Sequence, residues 1–236
     1  MSSPTHSSIS NFPARKRKKS AKSRGTAVWI DEYLKHLDPD PLRYYLTINA
    51  PENQRTVWSF DEFVTKNNKE LIGTIGNFIN RWQKFVTEDF NRQVPSDERA
   101  DALEKDLLAK LRAAPAAVGE EIEAMHFKAA LTKIRELFDE CNRYFDARQP
   151  WITRKSDMPL CAATINTCIQ AVRTLGVLLE PFLPFAAEKI RVSLNLPPEA
   201  WKWPRAAEPL PVGHTLGPAP EVLFRRIELK DFEGTT

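Results

Sequence analysis

The chain has 236 residues, 42% hydrophobic and 28% charged, a balance that excludes an intrinsically disordered polypeptide and leaves room for a sizeable core in one large or two small domains. Glycine is scarce, with 8 residues, and β-branched runs are few, so an all-α fold is expected. No uninterrupted apolar run approaches the roughly 20 residues that span a bilayer, and the N-terminus is polar then basic, which excludes an ordinary secretory signal and predicts a cytoplasmic protein with no membrane partner.

The net charge of +3 is unevenly spread. Residues 1–26 hold seven Lys or Arg and no acid, leaving 27 basic against 31 acidic residues in the rest. Residues 1–18 are expected to be a disordered basic leader, the positive charge lying in the stretch Arg15 to Arg24, which suits contact with a polyanion or simple solvation.

In chain order, KSAKSRGT (Lys19 to Thr26) is a Lys/Ser/Gly loop ahead of two short helical patterns, the second with Asp38 or Asp40 as cap and Pro41 in its first turn. The stretch Ser59 to Phe90 places Leu71, Ile75, Phe78, Trp82 and Phe85 at steps of four and three, the stripe of a long amphipathic helix. Ser59 is its N-cap, with Asp61 and Glu62 against the positive end of the dipole. Asn77 and Arg81 lie one turn apart on the border of that stripe, able to serve a polar partner or to pair with acidic neighbours on a packed helix.

Leu103, Leu107, Leu108 and Leu111 mark the next helix, which Pro115 and Gly119 are expected to bend or interrupt. His126 to Arg148 carries Phe127, Leu131, Ile134, Phe138, Cys141 and Phe145 in one stripe and reads as a core helix. Pro150 ends it, Trp151 follows, and a polar link Thr153 to Asp157 leads to a helix from Met158 to about Leu179. Pro181 and Pro184 precede a short helix from Phe185 to Leu194. The expected divisions are a linker at 19–57, a helical bundle at 58–196 and a Pro-rich tail at 197–236, in which Trp201 and Trp203 read as packing residues. Cys141, Cys161 and Cys168 have no CxxC pairing and read as buried reduced thiols. His36, His126 and His214 lack metal-like spacing, so no metal is expected.

KSAKSRGT resembles the KMSKS loop of class I aminoacyl-tRNA synthetases. HLDPDPLRYYL, GNFINR (Gly76 to Arg81), the RQPW turn (Arg148 to Trp151), LLEPFLPFAAEKI and VLFRRIE resemble, in the same order, segments of methionyl-tRNA synthetases. The resemblance implies a bundle similar to the anticodon-binding domain of that family. It also implies a parent reaction in which methionine is activated with ATP and attached to its tRNA, in translation. Lys19, Lys22 and Ser23 match the KMSKS pattern, Ser20 and Ala21 depart from it, and ATP enters only through the family, with no cofactor expected in this chain alone. In the family the loop follows a Rossmann-type catalytic domain with a HIGH motif, a methionine pocket and a zinc-binding insertion. Residues 1–18 carry no HxGH, so the chain alone is expected to be inactive, and a separate catalytic chain that supplies the HIGH half is one reading left open.

The same resemblance implies that Asn77, Arg81 and Trp151 bind the anticodon loop of methionine-accepting tRNA, Trp151 by stacking and the other two at base edges. Gly73 stands where the family often has a further Asn, and Asn80 is the less certain neighbour. Leu223, Phe224 and Ile227, in the segment that folds toward the catalytic half in the family, are expected to be exposed, and the chain to be a monomer. A split enzyme, a stand-alone RNA-binding module and a helical interaction module or gene fragment without a tRNA role are the readings left open.

Overall fold

A computed structural model of the chain describes residues 30–50, 58–220 and 222–232, so the basic stretch and the loop with Lys19, Lys22 and Ser23 lie outside the described residues. Within them the elements are α1 (Ile30–His36), α2 (Pro39–Ile48), α3 (Phe60–Lys66), a π-helical segment (Asn67–Gly76), α4 (Asn77–Asp89), α5 (Ala102–Glu123), α6 (Phe127–Arg148), α7 (Pro150–Ser156), α8 (Met158–Leu179) and α9 (Pro184–Ser193). The fold is all-α, and its extended pairing among the described residues is one isolated bridge, Gln93 to Thr215.

The long helix expected from Ser59 is present, running without a break from Phe60 to Asp89 as α3, the π segment and α4. Ser59 caps it by accepting from the Glu62 amide at 3.3 Å, satisfying one of the free first-turn donors. All five stripe residues are buried. The 3.6-residue period does not show the ten-residue π middle, whose i→i+5 ladder widens the turn directly before Asn77.

The bundle is built around α8, in which every residue from Cys161 to Leu179 is buried. By length and mean hydropathy α8 is apolar enough to cross a bilayer, yet beyond its exposed first turn it is enclosed by α4, α5, α6, α7 and α9. Two of its buried polar residues reach the Pro-rich segment: Gln170 exchanges two hydrogen bonds with the backbone of Leu210, at 2.9 and 2.8 Å, and Arg173 donates to the carbonyls of Ala200 and Arg205 at 2.6 and 2.8 Å. These bonds tie the Pro-rich segment to the bundle, and Trp201 enters the same core as a packing residue.

Four expectations are corrected. Helix α5 runs unbroken through Pro115 and Gly119. Pro115 removes one amide, but α5 is packed against both α6 and α8, and tertiary packing outweighs a single lost bond. The Thr153 to Asp157 link is helical to Ser156, with Asp157 capping α8 by accepting from the Leu160 amide at 3.1 Å. Phe127, placed in the core stripe of α6, is 40% exposed because it sits at the first residue of the helix, beyond the reach of the neighbours that cover Leu131. Leu223, Phe224 and Ile227 are buried, not exposed, because the chain turns back onto the π segment. There Asn67 donates to the Arg225 carbonyl at 3.0 Å, and Phe224 lies 3.7 Å from where a Cβ would stand on Gly76.

Asp40 also departs from its expected role. Helix α2 starts at Pro39 with Asp38 at the cap position and no side-chain capping bond. Buried Asp40 instead accepts from the Ala186 amide at 2.7 Å, so it caps α9, 146 positions along the chain. Burial raises its carboxyl pKa, against the opposing pull of the amides of Ala186 and Phe185.

Candidate nucleic-acid interface

Asn77 and Arg81 border the core because their helix pairs with α6 along that edge. Thr74 meets Asp139 at 3.3 Å, Asn77 meets Asn142 at 3.1 Å and Arg81 meets Asp146, each pair 65 residues apart. Partner numbers that rise together mean that the two helices run in the same direction, with α5 as the return crossover. On the buried side of the seam the rings of Phe78 and Phe138, then Phe85 and Phe145, meet edge to face at 6.1 and 5.8 Å.

Each polar group on the seam is held by a specific contact. The Asn142 amide donates to the carbonyls of Thr74 and Phe138, both at 3.0 Å, leaving its oxygen to accept from Asn77. The Arg81 guanidinium pairs with Asp146 and lies 4.3 Å from the centre of the Phe145 ring and 5.8 Å from that of Trp151. Phe145 and Trp151 stand 6.1 Å apart, tilted by 37°. One turn beyond Trp151, Arg154 pairs with Glu88 at 3.1 Å and Asp89 at 2.6 Å and covers the Phe85 ring at 5.2 Å.

Trp151 owes its position to the junction of α6 and α7. The residue before a proline is disfavoured in the right-handed helical region, so α6 ends at Arg148 and Gln149 turns to φ 47°, ψ 58°. For a residue with a Cβ that conformation costs roughly 1–2 kcal/mol. Pro150 then starts α7 and sets Trp151 on its outer side, 42% exposed, with its partly covered face toward Phe145.

Of the residues singled out in the sequence, the fold thus brings Asn77, Arg81 and Trp151 to one face, while Lys19, Lys22 and Ser23 lie outside the described residues. Gly73 and Asn80 are exposed on the same long helix. Sequence reasoning missed Asn142, Asp146 and Arg154, the partners that hold this face. Asn142 and Asp146 were legible in principle: they lie four residues apart on the border of the α6 stripe, the same arrangement as Asn77 and Arg81. Among the described residues no group of His, Cys, Asp and Glu could hold a metal ion.

The arrangement joins an exposed indole to an arginine held over aromatic rings, a surface able to stack a base and donate to its edge. Residues 94–235 match the family model for the anticodon binding domain of methionyl tRNA ligase, and residues 1–83 match that for class I tRNA synthetases of the M type. The chain is 36% identical to a methionine–tRNA ligase of Bacillus cereus over 230 residues, 98% of this chain and 40% of that protein. With a methionine–tRNA ligase of Pyrococcus horikoshii it shares 42% identity over 210 residues, 89% of this chain and 28% of that one. It therefore spans well under half the length of these relatives. Among solved structures, the Mycobacterium tuberculosis methionyl-tRNA synthetase bound by methionyl-adenylate superposes with a TM-score of 0.83 and 28% identity, covering 89% of this chain and 42% of that one.

Proposed function

The chain belongs to the methionyl-tRNA synthetase family, and on that footing we propose that it binds the anticodon loop of a methionine-accepting tRNA on the face shared by α4, α6 and α7. The observation that carries the proposal is the exposed Trp151 indole beside Arg81, itself held over Phe145. Bases of a single-stranded loop are read by stacking on aromatic planes and by hydrogen bonds to their edges. Trp151 supplies the plane; Arg81 and Asn77 supply donors within one helical turn of each other.

In this reading the chain is the tRNA-recognising part of a cytoplasmic methionine–tRNA ligase and works as a monomer beside a catalytic module. The parent reaction consumes ATP to activate methionine and then transfers it to tRNA. Of the KMSKS-like residues Lys19, Lys22 and Ser23, Lys22 would meet the ATP phosphates only where the catalytic module supplies the rest of the site, its fixed positive charge then stabilising the charge that develops in adenylation.

The test is a titration of methionine tRNA carrying the CAU anticodon, and of the same tRNA with that anticodon replaced, against the wild type and Trp151→Ala. Loss of one stacked base, about 1–3 kcal/mol, weakens CAU binding about 5- to 150-fold and narrows the preference. Equal binding by both proteins, or no preference for CAU in the wild type, removes anticodon reading.

A further inference from the structure

We propose that the buried cluster of Glu104, Tyr144 and Arg148 is the positioning device that aims Trp151, an inference that rests on the anticodon-face reading above. Glu104 is fully buried, yet each of its carboxylate oxygens is twice satisfied. One accepts from the Tyr144 hydroxyl at 2.7 Å and the Arg148 Nε at 2.6 Å; the other accepts from the Asp101 amide at 2.9 Å and an Arg148 Nη at 2.5 Å. Arg148 thus grips Glu104 as a two-pronged fork and reaches Asp101 as well.

The grip falls where the chain changes direction. Arg148 is the last residue of α6; Gln149 is the left-handed residue, Pro150 opens α7, and Trp151 follows. Three backbone bonds define the corner: the Gln149 amide to the Phe145 carbonyl at 3.1 Å, and the Ile152 and Thr153 amides to the Gln149 carbonyl at 2.8 and 3.1 Å. A non-glycine residue stays in the left-handed region only where its surroundings over-determine it. Here Pro150 restricts the far side, and the Arg148 fork fixes the near side to the first turn of α5. The cluster thus ties the corner before Trp151 to the first turn of α5, a helix that carries none of Asn77, Arg81 and Trp151. A buried ion pair is a poor source of stability compared with apolar packing, whereas the fork geometry gives directional control.

The experiment is a double-mutant cycle in the full chain, with Arg148→Ala, Arg148→Lys, Trp151→Ala and the Arg148/Trp151 double alanine variant. Arg148→Ala is expected to weaken CAU tRNA binding about tenfold when Trp151 is present and to add nothing when it is absent, while lowering the melting temperature equally in both backgrounds. Lysine keeps the charge but not the fork and should behave as alanine in binding. Without RNA, hydrogen exchange at the Ile152 and Thr153 amides should quicken in both Arg148 variants. Additive binding losses, an unchanged affinity, or unchanged exchange at these amides would overturn the proposal. If the Arg148 variants do not fold, Tyr144→Phe, which removes one hydroxyl bond to Glu104, takes their place with an expected effect of about fivefold or less in binding and the same faster exchange. If Trp151→Ala alone leaves binding unchanged, the anticodon reading falls, and the exchange measurement still judges the positioning role by itself.

Discussion

Asn68 makes two hydrogen bonds to a single residue 159 positions away: its amide donates to the Ile227 carbonyl at 2.8 Å, and its oxygen accepts from the Ile227 amide at 3.2 Å. That is the pairing a neighbouring β-strand would offer, supplied by one side chain. Gln170 does the same for Leu210. Extended segments buried in a helical protein have no ladder to satisfy their backbone, and these amides take the ladder's place.

Asn68→Ala should therefore lower the unfolding free energy by about 1–3 kcal/mol, because it strands the amide and carbonyl of buried Ile227. Asn68→Asp should cost more, since it sets a carboxylate oxygen against that carbonyl. Urea denaturation checks both, and equal stability of the three proteins would show that the pairing does not hold the segment.

Two glycines should differ in their tolerance of alanine. A Cβ on Gly176 would come within 2.6 Å of the Trp201 ring and 2.8 Å of an Ile190 methyl, side-chain atoms that can shift. Overpacking of that kind costs about 1–3 kcal/mol. A Cβ on Gly217 would stand 2.0 Å from the Val192 carbonyl oxygen, backbone at the end of α9 that cannot yield without breaking the Gly217 to Ser193 hydrogen bond. Gly217→Ala should thus lower the melting temperature more than Gly176→Ala, as read by circular dichroism.

The three thiols should be inert in the folded protein. Cys141, Cys161 and Cys168 are free and buried, and desolvation raises each thiol, that of Cys161 to about 11. The thiolate is the reactive form, so a thiol reagent at neutral pH should label none of them until denaturant is added and then all three. Labelling of the native protein at the unfolded rate would contradict this burial.

Stability should fall in acid with a definite sign. Asp101 is lowered to about 2, first by its hydrogen bond from Arg148 and then by the Leu103 amide. A carboxylate lowered on folding contributes stability above its unfolded value, near 4, and loses it as pH falls toward 2. Asp101→Asn should flatten the decline of melting temperature over that window and leave pH 5 to 7 nearly flat. Asp40, raised by burial, acts in the opposite sense, since protonation favours its folded form. Asp40→Asn should therefore steepen the acid decline.

Most of the helices were legible before the structure, because a helix that buries one face must repeat its apolar residues at 3.6. Leu71 through Phe85, and Leu131 through Phe145, obey that rule and are buried accordingly. Ser59 as N-cap was legible too, since its partner Glu62 is local. The failures share a different cause. Asp40 capping α9, Asn68 serving Ile227 and Glu104 gripping Arg148 are contacts across 146, 159 and 44 positions, and local pattern carries no trace of which distant group arrives.

Apolar periodicity alone marks the amphipathic borders, Asn77 and Arg81 among them, and places Trp151 just past a helix-ending proline. That these three share one face is set by packing between distant helices. That outcome depends on α4 and α6 running in the same direction with α5 as crossover, and on Gln149 turning left-handed under the hold of Arg148. Helix formation is governed by neighbours within a turn or two, whereas the relative placement of helices is settled by packing between segments far apart in the chain.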